Sequence, residues 1–190
     1  MQAESGKAPD GASEPVEGLA EATTPFRQQA AGEPVHDQPA PIVAIGASAG
    51  GLEAIEQFFA SITAPSRFAF VIIQHLSPDL KSLMVELLAR HTQLGVLAVE
   101  DGMTPLANAI HLIPPGKTMT IEAGLLRLAD CRERDVMHHL IDEFFVSLAS
   151  DRGAAAIGIV LSGSGSDGCR GARAISRAGG RVLVQLPVTA

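Results

Sequence analysis

The chain has 190 residues, a formal net charge of −7, two cysteines and neither Trp nor Tyr. With 46% apolar and 18% charged residues it can bury a core, which excludes a wholly disordered chain, and its acidic balance excludes a general nucleic-acid binder. Two cysteines without C-x-x-C spacing exclude a disulfide scaffold and point to a reducing, cytoplasmic setting, and the missing Tyr excludes the Tyr proton donor of short-chain dehydrogenases.

Residues 1–39 are rich in Ala, Gly, Pro, Glu and Gln and poor in Val, Ile and Leu. They hold seven acidic and two basic residues, hence five of the seven excess negative charges. Such a segment buries too little surface to offset its ordering entropy, so a disordered tail is expected there, with the domain spanning 40–190. Ile42 to Ile45 is a short apolar run ending at Gly46, which predicts a buried strand. Leu52, Ile55, Phe58, Phe59 and Ile62 recur at helical spacing. Phe68 to Ile73 predicts a second buried strand. Ser77 as N-cap and Pro78 at the first helical position start a helix through Leu83, Val85, Leu87 and Leu88. Across 94–128, apolar runs are broken by Asp101-Gly102, Pro114-Pro115-Gly116 and Ala123-Gly124, which predicts short strands and hairpins. Ile141 to Leu148 predicts a helix and Ala156 to Leu161 a buried strand. A helix through Ala172, Ile175 and Ala178 ends at Gly179-Gly180, and Arg181 to Gln185 is a last strand. Alternating strands and helices predict an α/β fold with a mainly parallel, doubly wound sheet and a hairpin insertion. No apolar run reaches the roughly 18 residues of a membrane span, and no signal-peptide core follows the first residues.

Open α/β sheets bind ligands beyond the carboxyl ends of their strands, so the polar residues after each buried strand are the site candidates. After the first strand, Gly46-Ala47-Ser48-Ala49-Gly50 fits G-x-S-x-G, a turn that exposes a Ser hydroxyl beside a helix N-terminus. Gly-rich turns of this kind also hold phosphates. Two details oppose a dinucleotide: the spacing is not G-x-G-x-x-G, and the second strand ends in Gln74-His75 rather than in an acid for a ribose. His75 follows the second strand, where an imidazole could act as general base for Ser48. Asp167 lies in the loop Ser162 to Gly168 after the later strand, where a carboxylate could fix the tautomer of that base. The order Ser, His, Asp differs from the Ser, Asp, His order of α/β-hydrolases.

The other candidates read as structural. His138 and His139 suit a structural or substrate-lining role. His36 lies in the tail, His91 ends a helix and His111 falls in the hairpin region. Cys169 reads as a buried thiol and Glu100-Asp101 as a solvated turn. No metal site is expected.

The segments P-I-V-A-I-G-A-S-A-G-G, V-I-I-Q-H-L-S-P and I-V-L-S-G-S-G-S-D-G, in this order, resemble the catalytic domain of the chemotaxis protein-glutamate methylesterases, the CheB family. The resemblance covers about residues 41–190 and includes H-L-I-P-P-G and I-D-E-F-F. Q-H-L-S-P-D and L-S-G-S-G-S-D-G look most like the version fused to a CheR-type methyltransferase. The resemblance implies Ser48 as nucleophile, His75 as general base and Asp167 as its orienting partner. It also implies backbone N–H groups of Ala49 and Ser164 at the oxyanion. The substrate would be a glutamate methyl ester on the helical cytoplasmic region of a methyl-accepting chemoreceptor, with glutamine deamidation as a second activity. No cofactor, no metal, no nucleic acid and no direct membrane insertion are implied.

The sequence also departs from the family. No receiver domain precedes Pro41, so the usual phosphorylation control is not expected. His138-His139-Leu140 replaces the frequent His-His-Pro. Leu186 stands where an acidic residue typically follows Val-Gln, and the chain ends some tens of residues early. A C-terminally truncated domain is therefore expected, lacking final strands and a helix. The rival expectation is an inactive remnant that serves at most as a receptor-binding module.

Overall fold

Strand β1 (Ile42–Ala47) carries no polar side chain and β2 (Ala69–Gln74) only its final Gln74; both are buried along their whole length. Runs of this kind need cover on both faces, as in a parallel sheet between helices. The computed structural model describes residues 40–48, 50–74, 81–131, 139–161 and 166–186. The expected tail and the Ser77-Pro78 helix start lie outside the described residues.

The other elements follow in order. They are α1 (Leu52–Ala60), α2 (Lys81–His91), β3 (Gly95–Ala98), β4 (Ala109–Leu112), β5 (Lys117–Glu122) and β6 (Leu125–Asp130). Then come α3 (Leu140–Arg152), a 3-10 turn (Gly153–Ala155), β7 (Ile157–Val160), α4 (Cys169–Arg177) and β8 (Arg181–Val184). Six strands form one sheet in the order β3-β4-β2-β1-β7-β8, with every pair parallel. The expected α/β fold is what the molecule adopts.

Side chains alternate across β1. Val43, Ile45 and Ala47 pack with Ile55 and Phe59 of α1 and with Met84 and Leu88 of α2. Ile42 and Ala44 pack with Phe144, Phe145 and Leu148 of α3, Ile175 of α4, and Met119, Ile121 and Leu126 of β5 and β6. The second layer sits unusually close to the sheet. A Cβ at Gly46 would lie 2.4 Å from Ile141 Cγ2, and one at Gly158 would lie 2.7 Å from Ile175 Cδ1. The two small residues give α3 and α4 their seats.

The stretch 94–128 departs from expectation. β3 and β4 are not a hairpin: they pair in parallel and extend the main sheet beyond β2. The Asp101-Gly102 turn starts a connection, Val99 to Asn108, that carries the chain back to the start of the sheet without a helix. The true hairpin is β5–β6, closed by Ala123 and Gly124, both at positive φ (49° and 80°). That is the twist a two-residue hairpin turn demands. His111 accordingly lies on β4, not in a hairpin, and is fully buried. At the opposite edge, β8 leaves Leu183 and Val184 exposed, as is Leu186 just beyond it.

Candidate active site

The sheet order places β1 between β2 and β7. The chain leaves β1 toward β2 through α1, and α3 leads into β7 on the opposite face. The strand order therefore reverses between β1 and β7, the point where open α/β sheets bind ligands. Register brings the carboxyl ends level: Ala47 pairs with Gln74, and the Leu161 N–H donates to the Gly46 carbonyl at 2.9 Å.

Ser48 follows β1 directly. Its carbonyl accepts the Gly51 N–H at 2.9 Å, closing the turn into α1. The Gln74 amide nitrogen donates to the same carbonyl at 3.0 Å. Ser48 does not carry left-handed backbone; the described non-glycine residues that do are Asn108 and Ala123. The order strand, turn, helix around Ser48 is that of a G-x-S-x-G motif, without the strained backbone at the Ser that marks the nucleophile elbow of α/β-hydrolases.

Asp167 lies beyond β7 and uses its carboxylate on α3. Its Oδ2 accepts the Ile141 N–H at 3.0 Å and its Oδ1 the Asp142 N–H at 2.9 Å. Helix α3 has no cap from His139 at its own N-cap position, so Asp167 supplies one from another segment. The N–H groups of a first helical turn lack partners inside the helix, and a carboxylate there also meets the positive end of the helix dipole. The favour is returned. Asp142, 5% exposed, accepts the Gly171 N–H of α4 through Oδ1 at 2.7 Å. The α4 N-cap is Gly168, which has no side chain to cap with and sits at φ 94°. Two helices are thereby capped crosswise by two carboxylates.

His139, Asp142 and Asp167 bring one ligand atom each within 4.8 Å of one another. These carboxylates already receive backbone N–H groups, and Arg170 Nε lies 3.9 Å from Asp142 Oδ2. The positive helix ends and the guanidinium already supply counter-charge to these carboxylates. The cluster is a helix-capping device.

Of the predicted site residues, Ser48 and Asp167 follow adjacent strands at one sheet edge. His75, Ala49, Ser164 and His138 lie outside the described residues; His75 is the next residue in the chain after Gln74. Two expectations on neighbouring residues fare differently. Cys169 is exposed, not buried, because it opens α4 on the side away from the sheet, whereas Gly168 before it is buried. Asp101 is exposed, as expected of a turn, but also accepts the Leu128 N–H at 2.9 Å and ties that turn to β6.

Sequence reasoning passed over two residues. Gln74 is 3% exposed, and its amide oxygen has no hydrogen-bond partner among the described residues. An unmet buried acceptor costs about 1–3 kcal/mol. The signal was a lone polar residue closing an otherwise apolar strand. Asp142 was one of two acids, with Glu143, in a first helical turn between Ile141 and Phe144, a weaker signal, since acids are ordinary there.

Residues 43–190 match the family model described as CheB methylesterase. The chain belongs to the CheB methylesterase family. A protein-glutamate methylesterase/protein-glutamine glutaminase of Myxococcus xanthus is 32% identical over 155 residues, covering 80% of this chain and 45% of that protein. An uncharacterized protein of Rhodobacter capsulatus is 48% identical over 104 residues, covering 55% of this chain and 11% of that much longer one. The crystal structure of the Thermotoga maritima CheB methylesterase catalytic domain superposes with a TM-score of 0.67 at 22% identity, covering 76% of this chain and 79% of that one. The family resemblance expected from the three motifs is thus met in sequence and in fold. The chain spans less than half the length of the curated methylesterases it matches.

Proposed function

We propose that this chain is a serine hydrolase that demethylates glutamate methyl esters on the helical cytoplasmic region of a chemoreceptor. Ser48 attacks the ester carbonyl and His75 takes its proton. Asp167 orients the imidazole and stabilises its charged form. The oxyanion is held by backbone N–H groups of Ala49 and Ser164. Methanol leaves, and water releases the acyl group from Ser48. Deamidation of receptor glutamines proceeds through the same acyl-enzyme, with ammonia as the leaving group. A cytoplasmic location follows from this substrate; among the described residues no helix is long and apolar enough to cross a membrane.

The observation that carries this reading is the arrangement of strand ends. Ser48 and Asp167 follow the neighbouring strands β1 and β7, and Gln74, which precedes His75, pairs with Ala47 on the other side. The names of the curated relatives supply the reaction.

One observation favours a second reading, a receptor-binding module without turnover. Asp167 already spends a bond from each oxygen on α3. A carboxylate has about four acceptor positions, so an imidazole partner remains compatible. The deciding experiment is methanol release from a methylated receptor fragment by the wild type, Ser48→Ala, His75→Gln and His139→Gln. We expect no release with Ser48→Ala or His75→Gln, and release within about threefold of wild type with His139→Gln, since a general base contributes roughly 100-fold or more. A wild type no faster than Ser48→Ala leaves the binding module standing. Loss confined to His139→Gln would move the base to the start of α3.

A further inference from the structure

We infer that Gln74 is a positioning residue for the nucleophile. This rests on the reading of Ser48 as nucleophile and deepens it. Gln74 ends β2 beside the last residue of β1, and its amide nitrogen donates to the Ser48 carbonyl at 3.0 Å. That carbonyl does not need the bond for its own satisfaction, because the Gly51 N–H already donates to it at 2.9 Å. The amide oxygen of Gln74, meanwhile, is buried without a partner among the described residues. An apolar side chain of the same length would fill the space without an orphaned acceptor. Folding therefore gives no reason for a glutamine at this position.

The chemistry does. A peptide unit is planar, so its C=O and N–H turn together. Two donors on one carbonyl, one from the turn and one from the adjacent strand, fix the plane of the peptide that follows Ser48. The same peptide carries the N–H that the proposed mechanism directs at the oxyanion. Gln74 thus ties the nucleophile turn to β2, the strand that leads into the proposed base. It sits on the α1 side of the sheet, with Phe70 and Ile72 of its own strand, and among the described residues its hydrogen bond goes to the Ser48 carbonyl and not to the hydroxyl.

The test uses Gln74→Met, which keeps length and volume and removes both polar atoms, with Gln74→Glu as a second variant. Three readouts are compared with wild type: methanol release from a methylated receptor fragment, labelling of Ser48 by a fluorophosphonate, and thermal unfolding. Gln74→Met is expected to lower kcat and the labelling rate by about tenfold to a hundredfold, the scale of a misplaced reacting group. KM is expected to stay within about twofold, and the melting temperature to be unchanged or higher. Gln74→Glu has a donor for the Ser48 carbonyl only while its buried carboxyl is protonated, so its rate is expected to fall further as pH rises and the carboxyl ionises, a pH dependence that Gln74→Met does not share. Wild-type rates in Gln74→Met would overturn the positioning role alone. A rate loss that tracks a lowered melting temperature would also overturn it, as a structural effect. A wild type that neither labels at Ser48 nor releases methanol would overturn the nucleophile reading and this inference together.

Discussion

The two faces of the sheet are packed by different means. Under α1 and α2 the contact is made by bulk. Phe59 meets Phe58 and Phe70 edge-to-face, with ring centroids 5.1 and 5.2 Å apart, and large aliphatic residues fill the remainder. Under α3 and α4 the contact is made by closeness. Gly46, Gly158 and Gly171 remove the Cβ atoms that would hold the helices off, and Asp142 and Asp167 cap the helices crosswise. A face packed by bulk tolerates shifts of side chains. A face packed by glycine contact and carboxylate caps has one seating, and that face holds Asp167, the proposed orienting carboxylate of the site.

The largest expected effect tests the first face. Phe59→Ala is expected to cost about 3–5 kcal/mol in urea unfolding, while labelling of Ser48 in the folded fraction stays close to wild type. Equal loss of labelling would show that the two faces do not divide stability from site geometry. Gly171→Ala tests the second face. Its new Cβ would lie 2.4 Å from Phe145 Cβ and 3.1 Å from the Asp142 carbonyl. A cost of about 1–3 kcal/mol is expected from overpacking, reduced somewhat by the better helix propensity of Ala. Here the labelling rate is expected to fall too, because α4 is pushed away from Asp142. A neutral Gly171→Ala would break the comparison.

Asp142 sharpens it further. Asp142→Ala leaves the Gly171 N–H buried without its acceptor, for about 1–3 kcal/mol. Asp142→Asn keeps an oxygen for that N–H and is expected to recover most of the loss in the same unfolding assay. The smallest effect concerns His111 on β4. Its Nδ1–H donates to the Phe70 carbonyl at 3.0 Å and its Nε2 accepts the Leu106 N–H at 3.1 Å. Burial pushes its pKa below the ordinary 6.5, against the Phe70 bond, which raises it. The unfolded chain then takes up a proton near 6.5 that the folded ring refuses. This contribution to stability is complete above about pH 6.5 and declines as pH falls toward the lowered folded value. Urea midpoints compared at about pH 7.5 and pH 5.5 are expected to drop, and less so in His111→Asn.

Much of this was legible beforehand, for physical reasons that differ by element. β1, β2 and β7 announced themselves because strands covered on both faces must be apolar throughout. The placement of Ser48 and Asp167 beyond neighbouring strands was legible because polar residues that follow such strands stand out. β3 and β4 were not, since a parallel pairing between short runs leaves no local signature, unlike the Ala123-Gly124 turn. Cys169 was misjudged because a thiol next to a buried glycine can still point outward at the start of a helix. The roles of Gln74 and Asp142 depend on partners 26 and 29 positions away, a distance at which spacing carries no information.

The crosswise caps have a dynamic consequence. Asp167 is a loop residue by position, but it can leave its place only when the first turn of α3 releases the Ile141 and Asp142 amides. Local opening of a helix end has its own free energy, separate from global unfolding. Hydrogen exchange at those two amides therefore reports the free energy needed to release the carboxylate. It does so without substrate, and that free energy is a property of α3 rather than of the loop that carries Asp167.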